Sequence, residues 1–289
     1  MTREEQVAWE SERKPRAAVA AVAAALLPVV GSVVIGVASK NLPAEATSNL
    51  LFAAHHGATL IGSAVLSTLG SLALIPVLLL LQRAARFRRP KQGDARDLLD
   101  AARPLIIFGG IATAVVALGY PALLYSKGHT FATHGSQTFE QAKHLTGGGL
   151  PLLKYLGQAA ALALAFSFVI VSLNVMRVGL LTRFMGMFGI IVGVLSVLPL
   201  VPGVPPPVLQ AFWLGALALL LSGRWPNTPP AWASGRAEPW PTQQELREQR
   251  EASGGKNAPA ATSKPVAATA EGTSEPTPAK RKRKRKKRR

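Results

Sequence analysis

Leu60-Ile-Gly-Ser-Ala-Val-Leu-Ser-Thr-Leu-Gly-Ser-Leu-Ala-Leu-Ile-Pro-Val-Leu-Leu-Leu-Leu-Gln82 carries no charge over 23 residues, and Arg83-Ala-Ala-Arg-Phe-Arg-Arg89 follows it directly. An α-helix rises 1.5 Å per residue and the hydrocarbon core of a bilayer is about 30 Å thick, so about 20 apolar residues suffice to cross it. Arginines concentrate in short loops on the cytoplasmic side of a membrane. The stretch therefore predicts a transmembrane helix that ends in the cytoplasm.

Five further apolar segments predict membrane spans on the same criterion. They cover residues 17–39, 105–125, 152–175, 184–201 and 208–223. The last two are short and are joined by a proline-rich turn over residues 201–207. We interpret the first segment as a retained anchor, because acidic residues stand among the bases before it; cleavage near Ser39 is the alternative.

The positive charges alternate between the two sides of these six segments. The basic residues of the N-terminal segment, the second loop, the fourth loop and the start of the tail are Arg3, Arg13, Lys14, Arg16, Arg83, Arg86, Arg88, Arg89, Lys91, Arg96, Arg103, Arg177, Arg183 and Arg224. The first, third and fifth loops, on the opposite side, hold only Lys40, Lys127, Lys143 and Lys154. The bias predicts a multi-pass protein of the cell (inner) membrane with both termini in the cytoplasm.

The composition changes sharply after the last apolar segment. From residue 224 onward, 16 Lys and Arg stand against 6 Glu in a chain of net charge +18, and Pro, Ala, Ser and Thr replace the large apolar residues. Such a segment buries too little apolar surface to offset the entropy of ordering. We therefore predict an all-α fold: an N-terminal cytoplasmic segment (1–16), a six-transmembrane-helix bundle (17–223) and a disordered basic cytoplasmic C-terminal tail (224–289).

The tail ends in ten consecutive basic residues. They are Lys280, Arg281, Lys282, Arg283, Lys284, Arg285, Lys286, Lys287, Arg288 and Arg289. Soluble proteins use such runs to bind nucleic acid, but the nearest polyanion to a membrane-tethered tail is the lipid surface. The predicted partners are the lipid bilayer and, for this run, anionic inner-leaflet lipids, with RNA or DNA as the alternative.

The apolar segments carry little that indicates chemistry. No Asp, Glu, Lys or Arg lies in the middle of a span, which counts against proton relays and ion-coupled transport. The chain has no Cys and no nucleophile or phosphate-loop motif, so no catalytic residue and no cofactor are predicted. Small residues recur at Ser63, Ser67 and Ser71 and at Gly179, Gly186 and Gly193, which predicts close helix packing inside the bundle.

All five histidines fall on the predicted outer side. With one carboxylate they form the candidate metal-ligating set His55, His56, His129, His134, Glu140 and His144. Residues 138–145 are predicted to form a short helix, on which residues 140 and 144 would share a face. Imidazole and carboxylate are ordinary zinc ligands, yet the spacings match no established metal motif. Solvated loop histidines are the competing interpretation.

Three stretches carry a resemblance to a known group of proteins. They are Arg177-Val-Gly-Leu-Leu-Thr-Arg-Phe-Met-Gly-Met-Phe-Gly-Ile-Ile-Val-Gly-Val194 and the pair Pro229-Pro-Ala-Trp232 and Glu238-Pro-Trp-Pro-Thr242. The second half of the chain resembles uncharacterised multi-span bacterial membrane proteins of actinobacterial type. The resemblance implies a bacterial inner-membrane protein and provides no catalytic residues.

Three functional hypotheses follow. The first is a non-enzymatic membrane protein that acts by interaction or as an accessory subunit, since the spans are uncharged and no catalytic motif is present. The second is a transporter or channel for an unidentified solute, which only the number of spans supports. The third is a metal-binding sensor or membrane enzyme built on the outer histidines.

Overall fold

The computed structural model describes residues 2–40, 42, 45–89, 98–134, 136–197, 206–226, 228–240 and 245. Within these residues the protein forms nine α-helices and no strand. The helices are α1 (Arg3–Ala38), α2 (Ala46–His55), α3 (Gly57–Arg88), α4 (Leu98–Thr133), α5 (Phe139–Thr146), α6 (Gly149–Arg177), α7 (Arg183–Leu195), α8 (Pro206–Leu221) and α9 (Ala231–Ser234). The predicted all-α class is confirmed.

Four of these helices, α1, α3, α4 and α6, are long and apolar enough to cross a membrane. Helices α7 and α8 are also apolar but contain 13 and 16 residues. At 1.5 Å per residue they measure about 20 and 24 Å, which is less than the roughly 30 Å of a hydrocarbon core. The structure is therefore that of a helical membrane protein with four candidate spans among the described residues, where the sequence predicts six.

Helix α1 begins far earlier than the predicted first span. Thr2 accepts a hydrogen bond from the backbone N–H of Glu5, and the Glu5 carboxylate accepts one from the backbone of Thr2. This capping box starts the helix at Arg3, and the helix continues through Pro15 and Pro28 to Ala38. Residues 3–16 are thus the first part of a helix about 54 Å long and do not form a separate segment.

Helix α3 lies at the centre of the packing. It contacts α1, α4 and α6; α1 also packs on α8, and α6 also packs on α4 and α7. Helices α1 and α4 do not contact each other within the described residues, so they flank α3 on either side. The core includes Leu78 and Leu81 of α3 and an edge-to-face pair formed by Phe168 of α6 and Trp213 of α8, with ring centroids 5.3 Å apart.

The small-residue faces predicted from the sequence do lie between helices of the bundle. A Cβ added to Gly31 of α1 would lie 2.9 Å from the carbonyl oxygen of Ser63 and 3.1 Å from the Oγ of Ser67. On α7, a Cβ at Gly193 would lie 2.9 Å from the Cβ of Phe168. Gly179 does not belong to this face, because it lies in the turn between α6 and α7 with φ +78°.

A second, smaller core forms at the end of α4. Leu50 of α2, Phe131 of α4 and Ala142 of α5 are buried against one another. This cluster joins the two short helices to α4 at the end of the bundle where the histidines lie. The short helix predicted at residues 138–145 is confirmed as α5.

The compact unit that begins at the N-terminus extends to Trp240. The sequence assigned every residue from 224 onward to the disordered tail, but Ala231 and Trp232 are buried in the core. The predicted boundary is therefore too early, for reasons that the contacts of this segment explain below. The remainder of the predicted tail, including residues 280–289, lies outside the described residues, Glu245 apart.

Candidate functional site at the basic end of the bundle

A buried ion pair ties the start of α1 to the end of α3. Arg88 donates from Nη1 to Oε1 of Glu10 at 2.5 Å and from Nη2 to Oε2 at 2.7 Å, and both side chains are fully shielded from solvent. Gln6 also donates from Nε2 to Glu10 Oε1 at 2.8 Å. Two parallel N–H···O bonds to one carboxylate are the strongest pairing geometry that arginine offers.

Arg88 also holds the segment that follows α8. Its Nε and Nη2 both donate to the carbonyl oxygen of Ala231 at 3.0 Å, and Nη1 donates to the carbonyl oxygen of Ala84 at 3.0 Å. Together with the two bonds to Glu10, all five N–H donors of the guanidinium are used. A buried arginine with this many bonds fixes three parts of the chain relative to one another.

Residues 228–240, which we call the docking strip, are held by two indoles. Trp232 donates from Nε1 to the carbonyl oxygen of Leu180 at 2.9 Å, and the Nζ of Lys14 lies 4.3 Å from its ring centroid. Trp240 donates from Nε1 to the carbonyl oxygen of Leu181 at 3.0 Å. A buried indole needs a partner for its N–H, and the turn between α6 and α7 supplies one for each ring.

The backbone of the docking strip also contacts this turn. Glu238 donates its N–H to the carbonyl oxygen of Val178 at 3.1 Å, and Arg183 donates to the carbonyl oxygen of Trp240 at 2.8 Å. A Cβ at Gly179 would overlap the carbonyl oxygen of Glu238. The close approach and the positive φ both require glycine at this position. The start of α1, the end of α3, the α6–α7 turn and the docking strip therefore form one end of the bundle, which we call the basic end.

A groove of about 930 Å³ opens at the basic end, over α3 and between α1 and α4. Six arginines line it: Arg13, Arg16, Arg83, Arg86, Arg89 and Arg103. Apolar side chains line it further along α1 and α3, namely Ala17, Ala20, Pro76, Leu79 and Leu80, whereas Phe87 lies among the arginines. The groove therefore has a cationic part and an apolar part, which is the pattern of a site for a ligand that is itself amphipathic.

Two cation–π contacts and one ion pair position three arginines of the groove. The guanidinium carbons of Arg83 and Arg13 lie 4.0 and 4.5 Å from the ring centroid of Trp9, within cation–π distance. Arg86 forms an exposed ion pair with Asp100 at 3.0 Å. Gln82, buried beneath them, donates to the carbonyl oxygen of Leu99 at 3.0 Å and so fixes the start of α4 against the end of α3.

The histidines stand apart from this site, at the other end of α4. His55 makes a ring-nitrogen contact of 2.8 Å with the carbonyl oxygen of Leu51, and His56 stacks on Phe52 with centroids 4.7 Å apart. His129 approaches the edge of Tyr125, and His134 contacts the Oγ1 of Thr133 at 2.6 Å. Among the described residues, no three His, Asp or Glu side chains come together to hold a metal ion. The proposed ligand set, with Glu140 and His144 on α5, is therefore not assembled there.

Sequence reasoning missed Glu10, Arg88 and Trp232 as the centre of the basic end. A signal for the two charges was present, because Gln6 and Glu10 continue the helical row of buried alanines at Ala17 and Ala21 towards the N-terminus. Arg88 likewise follows Leu81 and Ala85 on the buried face of α3.

No family model matches this chain, and neither a curated protein nor a solved structure is detectably similar to it. The resemblance to multi-span actinobacterial proteins therefore stays a prediction.

Proposed function

We propose that this chain is a six-span protein of the bacterial cell membrane that acts by interaction at its cytoplasmic face and not by catalysis. The observation that carries the proposal is the basic end, where a fully bonded buried ion pair fixes a surface rich in arginine. An arginine whose five donors are all occupied serves structure, so this centre supports a rigid binding surface in place of a reactive pocket.

The arrangement of α7 and α8 supports six crossings over four. The turn before α7 and the docking strip after α8 contact each other, through Trp232 and Leu180. Helices α7 and α8 must therefore lead away from the basic end and return to it. The antiparallel course of two apolar helices supports a pair of crossings in this proposal.

The basic end faces the cytoplasm in this proposal, because its arginines follow the charge bias of inner loops. The C-terminal run Lys280–Arg289 starts from the same side and would bind anionic lipids of the inner leaflet. Around such a surface, positively charged side chains attract acidic lipids over a distance of about one Debye length, roughly 8 Å at physiological salt. The accessory role would then be to organise acidic lipid, or a partner that carries it, at the cytoplasmic face.

The orientation is tested by cysteine labelling, because the native chain has no cysteine. In intact cells, a membrane-impermeant maleimide should label Ser136→Cys, which lies near α5, and should miss Gln92→Cys, which lies between α3 and α4. Labelling after cell permeabilisation provides the control that both cysteines are reactive. The opposite pattern, or equal labelling of both in intact cells, would refute the orientation.

The interaction role is tested against the transport hypothesis by reconstitution. Purified protein in liposomes should leave the passive leak of ions and small solutes unchanged. Protein-dependent flux would contradict the proposal and support the channel hypothesis. Neither the channel nor the metal hypothesis gains a specific observation from the described residues.

A further inference from the structure

The arginines and the apolar residues that line the groove lie at different depths relative to the predicted membrane spans. On α1, Arg13 and Arg16 come immediately before the first predicted span, whereas Ala17 and Ala20 lie inside it. On α3, Leu79 and Leu80 lie inside the second span, which ends at Gln82. We propose that the groove binds one anionic phospholipid of the inner leaflet, with its phosphate at the arginines and an acyl chain along the apolar part.

Helix α4 repeats the same order of residues. Arg103 lines the groove and stands just before Leu105, where the third predicted span begins. The lining of the groove therefore changes from arginine to apolar residues near the predicted span edge on α1 and α3, and Arg103 lies at the corresponding edge of α4. A phospholipid has this order, with an anionic headgroup outside the hydrocarbon and chains within it. A soluble anion would use the arginines alone and would leave the apolar lining without a role.

The charges of the groove favour an anion strongly. No Asp or Glu is among the described residues that line it, and Arg86, at its exposed edge, forms an ion pair with Asp100 outside the lining. Arg16 and Arg103, by contrast, form no ion pair with a carboxylate of the described chain. Guanidinium groups bind phosphate oxygens through two parallel N–H bonds, and several around one site bring together the geometry that a phosphodiester needs.

The size of the groove suits part of a lipid. A volume of about 930 Å³ lies within the usual range of roughly 300 to 1,000 Å³ for sites that bury a small molecule. Because α1 and α4 do not contact each other in the described chain, the groove stays open between them along its length. The headgroup and the upper part of one chain would occupy it, and the rest of the lipid would remain in the bilayer.

The test compares two pairs of arginines that carry equal charge. Full-length protein in detergent is titrated with dioleoylphosphatidylglycerol, and bound lipid is counted by native mass spectrometry. The double variant Arg16→Gln/Arg103→Gln removes two cations from the groove. The control Arg224→Gln/Arg236→Gln removes two exposed cations that do not line the groove. The C-terminal run is present in all proteins, so its contribution cancels in the comparison.

Wild-type protein should bind one phosphatidylglycerol more tightly than the rest, and it should bind dioleoylphosphatidylcholine weakly. The groove variant loses two basic contacts, so it should weaken binding of this first phosphatidylglycerol about tenfold or more. The control variant should change the same affinity less than twofold. Equal loss in the two variants would overturn the proposal, because it would show that charge acts diffusely over the surface.

A second variant tests the acyl chain. Ala20→Phe keeps every arginine and fills the apolar part of the groove, so it should weaken phosphatidylglycerol binding and leave the sedimentation behaviour of the protein unchanged. Inorganic phosphate at equal concentration should not displace the lipid. Displacement by phosphate, or full lipid binding by Ala20→Phe, would overturn the lipid assignment in favour of a soluble anion.

The inference depends on the proposed function in one respect, since it places the basic end at the inner leaflet. The binding measurement is made in detergent, where orientation plays no part. Its failure would remove the lipid site and leave the orientation standing, whereas failure of the maleimide experiment would reassign the site to the other leaflet.

Discussion

Arg88→Met removes the centre of the basic end, and its cost follows from the contacts that Arg88 makes. The Glu10 carboxylate, fully shielded from solvent, would keep only its bond from Gln6, and the Ala231 carbonyl would lose both of its arginine donors. Removal of one partner from a buried ion pair costs about 3 to 5 kcal/mol, because the other charge is left uncompensated. We expect a destabilisation of this size.

The double variant Glu10→Leu/Arg88→Met distinguishes the charge from the packing. Replacement of both partners by apolar residues of similar volume is often neutral or stabilising. The double variant should therefore recover most of the stability that Arg88→Met loses. Such recovery is strongly non-additive, as expected for two side chains in direct contact.

Thermal unfolding of the detergent-solubilised full-length protein, followed by tryptophan fluorescence, measures these effects. Arg88→Met should lower the midpoint by on the order of 10 °C, on the scale that relates free energy to midpoint in domains of this size. Arg224→Met, at an exposed arginine after α8, is the control and should shift it by less than about 2 °C. Equal midpoint shifts for Arg88→Met and Arg224→Met would refute the reasoning. So would a double variant whose loss of stability equals the sum of the losses from Glu10→Leu and Arg88→Met alone.

Three further predictions concern other contacts. Gly193→Ala should destabilise the bundle by about 1 to 3 kcal/mol, because its Cβ meets Phe168, whereas Gly215→Ala, with open space around it, should be nearly neutral; thermal midpoints compare them. Trp232→Leu should leave the Leu180 carbonyl without its indole donor and should speed proteolysis of the docking strip; unchanged cleavage would contradict that role. A peptide of residues 260–289 should stay on phosphatidylglycerol vesicles in the presence of competing RNA, and its quantitative transfer to RNA at physiological salt would contradict lipid binding.

The helical class followed from one simple quantity, the length of uncharged apolar runs. The same quantity overestimated the length of α7. Apolar residues continue past Leu195, where the helix ends. Apolar composition measures affinity for the hydrocarbon, whereas the end of a helix depends on local turns such as the one at Ser196–Val197. The sequence could therefore predict the bundle but not the number of complete crossings.

The basic end was hidden from sequence reasoning because charges were treated as solvated. Glu10 and Arg88 are buried only because they meet each other, and a partner 78 residues away is not visible in local composition. The docking strip was missed for a related reason. Its proline-rich composition is typical of disorder, but Trp232 and Trp240 supply aromatic surface that disordered segments generally lack.

The hydrogen bonds of Arg88 also set an order of events during synthesis. Arg88 meets Glu10, which the ribosome has already made, but Ala231 follows 143 residues later. At roughly 5 to 20 residues per second, the arginine waits about 7 to 30 seconds with two of its N–H groups unpaired by their final acceptor. The basic end can therefore be completed only after helix α8 has been translated. A chain cut short before residue 231 would keep an incomplete end, in which Arg88 Nε and Nη2 lack the Ala231 carbonyl oxygen.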